Sequence, residues 1–222
     1  MAYIGWEASL YVVAAITGCW RRESGINPGI WEGLDDLRIE YDENAWSYIY
    51  GTDGPNKGGY GMGQWTNTGA DSMRLLNLHN YVTDPAYNFG DGDGQGQLRF
   101  MIHERTWFNS PVTRGNYTSL QEFITSDSGS IEDLVWDFMA NWEGAAGNNI
   151  PERIQYAYLN FEYIANHIDD DYSSYTWTSG NYYLTESQMH GNLMKVWEFF
   201  GNGVVPPLSG KKRHRMPIWM YI

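Results

Sequence analysis

The chain has a single cysteine among its 222 residues, which excludes an internal disulfide bond. Cys19 lies in an apolar stretch, where we expect a buried packing residue and not a catalytic thiol. A chain without disulfides is suited to synthesis in a reducing cytoplasm. No apolar run approaches the roughly 18 residues of a membrane-spanning helix, and no basic segment precedes the first apolar stretch as in a signal peptide. We therefore expect no membrane span and no signal peptide.

The sequence also lacks the usual motifs of metal and nucleotide chemistry. Its five histidines have no His-x-x-x-His spacing, and there is no Cys-x-x-Cys pair, which argues against a zinc peptidase. No phosphate-binding glycine loop and no Gly-x-Ser-x-Gly elbow is present. Residues 91–96 begin like a calcium loop, but Ile102 stands where such a loop requires a glutamate. We predict that the protein uses no metal and no cofactor.

Basic residues are scarce, with 14 Lys and Arg against 27 Asp and Glu and a formal net charge of −13. Residues 201–222 hold four of the basic residues and no acidic one, so residues 1–200 are still more acidic. An acidic surface repels nucleic acid phosphates. We therefore predict no nucleic acid partner.

The hydrophobic pattern predicts an α+β protein that is mainly helical. Residues 31–69 mix Gly, Asn, Asp and aromatic residues without a helical period, which indicates a small irregular β lobe. Residues 169–183 are predicted to form a surface loop or a short β segment. We interpret residues 1–200 as one domain and residues 201–222 as a basic linker or arm containing Pro and Gly. The predicted helices span residues 6–22, 70–79, 96–108, 119–126, 131–143, 151–168 and 186–200. Three of them begin at pairs with the spacing or near-spacing of a capping box, which are Thr118 with Gln121, Ser130 with Asp133 and Thr185 with Gln188.

One motif places a carboxylate at a helix end. Residues 20–28 read Trp-Arg-Arg-Glu-Ser-Gly-Ile-Asn-Pro, so Glu23 stands where the first helix meets a turn. We expect apolar neighbours, Ile16, Trp20 and Ile26, to keep this carboxyl partly neutral near pH 7. A neutral carboxyl can protonate a glycosidic oxygen, as a glycoside hydrolase requires. The alternative is a structural helix-end carboxylate that binds a neighbouring arginine or backbone N–H groups.

A second motif is rich in glycine and aromatic residues. Residues 58–65 read Gly-Gly-Tyr-Gly-Met-Gly-Gln-Trp. Together the two motifs resemble the phage tail lysozyme family, cell-wall muramidases carried on virion tails. The similarity covers about residues 6–165, including Gln97-Leu98-Arg99-Phe100 with Glu104 and the step Trp142-Glu143 followed by Arg153. Lytic transglycosylases also look similar.

The resemblance implies a lysozyme-like fold and roles for particular residues. Glu23 would be the general acid that protonates the oxygen between N-acetylmuramic acid and N-acetylglucosamine. Tyr60, Gln64 and Trp65 would contact the sugar, although packing within the β lobe is the alternative for Gln64 and Trp65. Our hypothesis is that Glu143 supports the residues of the cleft without contacting the substrate itself. Other carboxylates that could act beside Glu23 are Asp42, Glu43 and Asp53, and the sequence does not select among them.

The function implied by the resemblance is hydrolysis of the peptidoglycan glycan strand, which opens the host wall for DNA delivery. The partners would be that strand and other phage tail proteins, and the location would be the virion tail. Since an acidic surface is also repelled by an anionic wall, attachment to a larger particle would bring the enzyme to its substrate. Two alternatives stay open: a lytic transglycosylase with the same acid, and a non-enzymatic component that binds the wall or the tail.

Overall fold

The computed structural model describes residues 6–32, 59–66, 73–145 and 147–201. Within these ranges the protein is mainly helical, and a 3₁₀ turn at Tyr172–Ser174 precedes the last helix. Each of the seven predicted helices is present among the described residues and in the predicted order, with ends that shift by up to four residues. They are α1 (Leu10–Ser24), α2 (Arg74–Thr83), α3 (Gly94–Glu104), α4 (Leu120–Ile124), α5 (Ile131–Asn141), α6 (Ile150–His167) and α7 (Glu186–Phe200).

Five of the seven described helices begin at a side chain that accepts an otherwise unpaired backbone N–H group, whereas α2 and α6 have no side-chain cap. The predicted capping box of α7 is confirmed, because Thr185 and Gln188 satisfy each other's backbone N–H groups. The predicted cap of α5 is also confirmed, with Ser130 accepting from the N–H of residue 133. For α4 the prediction of Thr118 is one residue early, since Ser119 is the cap.

The predicted β lobe lies largely outside the described residues. Its described part contains two isolated antiparallel bridges, Trp31 with Tyr60 and Tyr60 with Trp65. No longer strand occurs in the ranges that the structure describes. In the described residues the β component of the predicted fold is therefore limited to these bridges. Of the predicted arm at residues 201–222, all but residue 201 lies outside the described ranges.

Helix α1 lies at the centre of the core and packs against α5, α6 and α7. Every residue from Val12 to Trp20 is buried, so the helix is enclosed on all sides. Around its C-terminal half, the ring centroid of Trp142 lies 6.0 Å from that of Trp20 and 5.5 Å from that of Trp65. Such tilted and edge-on aromatic contacts fix the rings in place. These ring contacts hold the C-terminal end of α1 in a fixed position.

Cys19 lies on this helix and is fully buried. Burial raises the pKa of its thiol well above the ordinary value, and thiolate, the nucleophilic form, is therefore disfavoured. The prediction of a packing residue is confirmed.

The two ends of the helical domain meet. The N–H of Ala8 donates to the carbonyl oxygen of Phe200 at 2.9 Å, so the segment before α1 lies against the end of α7. None of the described helices combines the length and apolar character needed to cross a bilayer.

The contact between α1 and α6 depends on a residue without a side chain. A Cβ on Gly18 would lie 2.6 Å from the backbone nitrogen of Ala157. We expect Gly18→Ala to force the helices apart and to lower the free energy of unfolding by about 1–3 kcal/mol, as overpacking does. Urea unfolding followed by circular dichroism measures this change.

Gly191→Ala is the matched control. Gly191 lies inside α7, where the nearest atom to an added Cβ is the carbonyl oxygen of Thr176 at 3.6 Å. Alanine should leave stability unchanged or raise it by up to about 1 kcal/mol, because it favours helix more than glycine does. Equal unfolding midpoints for the two variants would contradict the proposed helix contact.

Candidate active site

Glu23 occupies the last turn of α1, which ends at Gly25 in the left-handed conformation with φ 64°. The side chain of Glu23 is 31% exposed, and its Oε1 forms an ion pair with Nη2 of Arg153. Ile16, Trp20 and Ile26 are fully buried and belong to the core. The carboxyl of Glu23 is therefore paired with a guanidinium group, whereas the sequence predicted an apolar setting.

Arg153 is buried in the first turn of α6. Its Nη1 donates to the carbonyl oxygen of Cys19 at 3.0 Å, and its Nε donates to that of Asn148 at 3.2 Å. Its Nη1 also lies 3.4 Å from Oε2 of Glu143. One buried guanidinium is thus held by backbone carbonyls and placed between two carboxyl groups.

The arginines next to Glu23 in sequence do not serve as its partners. Arg21 donates to Oδ1 of Asn160 at 2.9 Å, and Arg22 donates to Oε2 of Glu152 at 2.6 Å. The alternative that Glu23 binds a neighbouring arginine therefore predicted the type of partner correctly, but the arginine is Arg153 and not a residue adjacent in sequence.

Glu143 follows α5 and its side chain is only 8% exposed. Burial raises the pKa of this carboxyl to about 8, and the negative charge of Glu23 adds to the effect, while Arg153 and Arg74 oppose it. Its Oε1 has no hydrogen-bond partner among the described residues. A carboxyl with this pKa holds a proton most of the time at neutral pH.

The two sequence motifs lie against each other. The hydroxyl of Ser24 lies 2.7 Å from the carbonyl oxygen of Met62, to which it donates. The buried amide of Gln97 completes the link, since its Oε1 accepts from the N–H of Met62 at 2.9 Å and its Nε2 donates to the carbonyl oxygen of Pro28 at 2.6 Å. Sequence reasoning missed this bridging role, although the family resemblance included Gln97.

Two of the three residues predicted to contact sugar, Tyr60 and Trp65, are buried. Tyr60 is buried, which raises the pKa of its hydroxyl. Trp65 is 1% exposed, and its Nε1 donates to Oε1 of Glu104 at 3.0 Å. Neither ring offers an open face to a saccharide, which favours the packing alternative for Trp65. Gln64 is half-buried and its Nε2 donates to the carbonyl oxygen of Gly61 at 2.9 Å, so its contact with sugar stays a prediction.

A groove of about 1010 Å³ lies beside α2 and α3. Polar and aromatic side chains line it, among them Arg74, Tyr81 and His103, and Glu143 contributes to its wall. Glu23 does not line this groove. Glu143 therefore stands between the groove and Arg153.

The acidic residues of the calcium-like segment have structural partners. Oδ1 of Asp93 accepts from the N–H of Gly96 at 2.8 Å and caps α3. Oδ1 of Asp91 lies 2.7 Å from Nδ1 of His79. Within the described ranges, no group of three or more His, Cys, Asp or Glu side chains is arranged to hold a metal ion.

The buried proton of Glu143 predicts a pH dependence of stability. Its pKa rises from the ordinary 4.5 to about 8 on folding, so between these values the folded protein binds more protons than the unfolded chain. This contribution therefore makes stability fall as the pH rises through that window. In Glu143→Gln the side chain stays neutral at every pH. We therefore expect this variant to lack the decrease in the free energy of unfolding that Glu143 causes, which is at most about 1.4 kcal/mol per pH unit.

Urea unfolding between about pH 5.5 and pH 8 measures the difference in slope between the parent and the variant. Glu152→Gln is the control, because Glu152 is an exposed carboxyl on α6 and its loss should leave the slope of the parent unchanged. Identical slopes for the parent and Glu143→Gln would show that Glu143 is not proton-bound in the folded protein.

Comparison with known proteins supports the resemblance found in the motifs. A family model described as phage tail lysozyme matches residues 1–164, which include both motifs, Glu143 and Arg153. A search of curated proteins finds no match. Since the family model covers most of the 222 residues, the chain belongs to the phage tail lysozyme family.

Proposed function

We propose that the protein is a tail-associated peptidoglycan hydrolase that cleaves the glycan strand between N-acetylmuramic acid and N-acetylglucosamine. Family membership supports the class of enzyme. The observation that carries the proposal is the position of Glu23, a part-exposed carboxylate at the end of a buried helix, held by Arg153 with the proton-bearing Glu143 behind it.

Two carboxyl groups and one guanidinium have a net charge of zero only if one of the two carboxyl groups is protonated. In this proposal the proton of the free protein is on Glu143, whose pKa burial raises, while Glu23 pairs with Arg153. Such a pair titrates as a unit, so a change at one carboxyl alters the other. A general acid at Glu23 requires the proton to move to Glu23 while Arg153 pairs with Glu143 instead.

Substrate binding supplies the reason for this exchange. A saccharide that covers Glu23 removes water from its carboxylate, and loss of water favours the neutral form. Arg153 can then neutralise the ionised Glu143 without any change in the total number of protons. Glu143 thus acts from behind Glu23, in agreement with the supporting role proposed from the sequence.

In the proposed reaction, the Glu23 proton passes to the glycosidic oxygen as the bond from that oxygen to the anomeric carbon breaks. Water then adds to the oxocarbenium-like centre and gives up a proton. This proton passes to bulk water or to one of the lobe carboxylates Asp42, Glu43 and Asp53, which lie outside the described residues.

The proposed setting is the virion tail, where the enzyme opens the host wall for DNA delivery. The net charge of −13 disfavours free approach to an anionic wall. Attachment to other tail proteins would overcome this repulsion, and we propose the basic residues 201–222 as the arm that makes the attachment. Residues 1–200 would then form the hydrolase domain.

Glu23→Gln tests the catalytic assignment. Loss of the proton donor should reduce the release of muropeptides from purified sacculi by about 10²- to 10⁴-fold, the usual contribution of a general acid. Mass spectrometry of the digests measures this release. Glu152→Gln, which removes a carboxyl that pairs with the adjacent Arg22, should retain the parent activity.

The products also distinguish the alternatives. Fragments with reducing ends support hydrolysis, and fragments with 1,6-anhydro ends would identify a lytic transglycosylase. Wall binding without fragments would indicate a non-enzymatic component. Equal release by the parent and Glu23→Gln would refute the role of Glu23.

A further inference from the structure

The loop between the 3₁₀ turn and α7, residues 176–184, lies outside the part of the chain that matches the family model. We call it the tyrosine loop, because Tyr182 and Tyr183 lie at its far end. It docks on residues 26–31, the turn that directly follows Glu23.

The first attachment of the tyrosine loop is the buried amide of Asn27. Its Nδ2 donates to the carbonyl oxygens of Gly180, at 2.8 Å, and Tyr182, at 2.7 Å. Its Oδ1 accepts from the N–H of Gly29 at 2.9 Å and from that of Gly180 at 3.3 Å. One side chain thus binds the turn and the loop together.

The second attachment is Asn192 of α7, which is also fully buried. Its Nδ2 donates to the carbonyl oxygens of Ile26 and Thr178, each at 2.8 Å. Its Oδ1 accepts from the N–H of Thr178 at 2.7 Å. Buried amides with every polar atom engaged hold a loop rigidly.

The loop also reaches the second motif. The N–H of Trp31, which forms a bridge with Tyr60, donates to Oδ1 of Asn181 at 3.2 Å. The backbones approach so closely that a Cβ on Gly29 would lie 2.4 Å from the nitrogen of Gly180. The tyrosine loop therefore belongs to the same hydrogen-bonded unit as both motifs.

This rigid loop presents aromatic rings to solvent. Tyr183 is 71% exposed and Tyr182 is 47% exposed. An exposed ring contributes little to folding, because its apolar surface stays in water. Loops that a scaffold holds in place carry binding residues more often than other segments do. The aromatic rings of the second motif, Tyr60 and Trp65, are buried, so these two tyrosines supply open aromatic faces next to the Glu23 turn.

We propose that Tyr183, with Tyr182 beside it, forms a saccharide subsite that stacks against a pyranose ring of the glycan strand bordering Glu23. The inference rests on the proposed function for its ligand class. The flat phenol ring covers the C–H face of the sugar, and the attachment through Asn27 holds the backbone of the loop against the turn that follows Glu23.

The test uses binding in a protein that does not cleave its ligand. In the Glu23→Gln background, isothermal titration calorimetry with soluble, peptide-free peptidoglycan glycan strands gives the affinity. Adding Tyr183→Ala should weaken binding about three- to tenfold, the usual contribution of an aromatic contact. Adding Tyr183→Phe should preserve the affinity, because stacking needs the ring and not the hydroxyl.

Tyr158→Ala is the control for loss of a surface tyrosine. Tyr158 lies on α6 and is 37% exposed, and its hydroxyl donates to Glu132. This variant should bind like the Glu23→Gln parent. With Glu23 intact, Tyr183→Ala should raise KM about three- to tenfold and leave kcat unchanged. Urea unfolding confirms that each variant is folded.

Unchanged affinity in Tyr183→Ala would overturn the subsite, as would the absence of measurable glycan binding by the Glu23→Gln parent. The hydrolase proposal is judged separately, from the fragments released by the protein with Glu23 intact. Binding that depends on Tyr183 without any release of fragments would support the subsite and refute the hydrolase.

Discussion

The buried charge of Arg153 is the constraint on which the candidate site depends. A guanidinium removed from water is costly unless anions and hydrogen-bond acceptors surround it. Here backbone carbonyls of residues 19 and 148 and the carboxyl groups of Glu23 and Glu143 do so. The same group therefore joins the end of α1, the start of α6 and the segment after α5, and it brings two carboxyls into one electrostatic unit.

Helix α1 gives this unit its fixed position. The helix is enclosed by α5, α6 and α7, and Ser24 and Gln97 connect its end to the second motif. Glu23 is consequently the end point of a rigid element. Its side chain is 31% exposed, which combines a defined orientation with access for a ligand.

Local sequence patterns predicted the helices and most caps well, because helical periodicity and N-terminal capping depend on neighbouring residues. The partner of Glu23 could not be predicted from local sequence patterns. Its partner lies 130 residues away in sequence, and periodicity carries no information about such a contact. The family resemblance did include Glu143 and Arg153, yet it did not reveal that Glu23 and Glu143 both contact the guanidinium of Arg153. Likewise, a glycine-rich aromatic motif does not distinguish buried rings such as Trp65 from exposed ones.

The hydrogen bond between Ala8 and Phe200 has a consequence for architecture. Because the two ends of the helical domain are adjacent, the domain can be inserted into a surface loop of a larger polypeptide without separating the host's flanking strands or helices. The same proximity permits a circular permutation in which a short linker joins residues 8 and 200 and new termini open elsewhere. The adjacency of residues 8 and 200 thus makes this helical unit suited to insertion and to permutation.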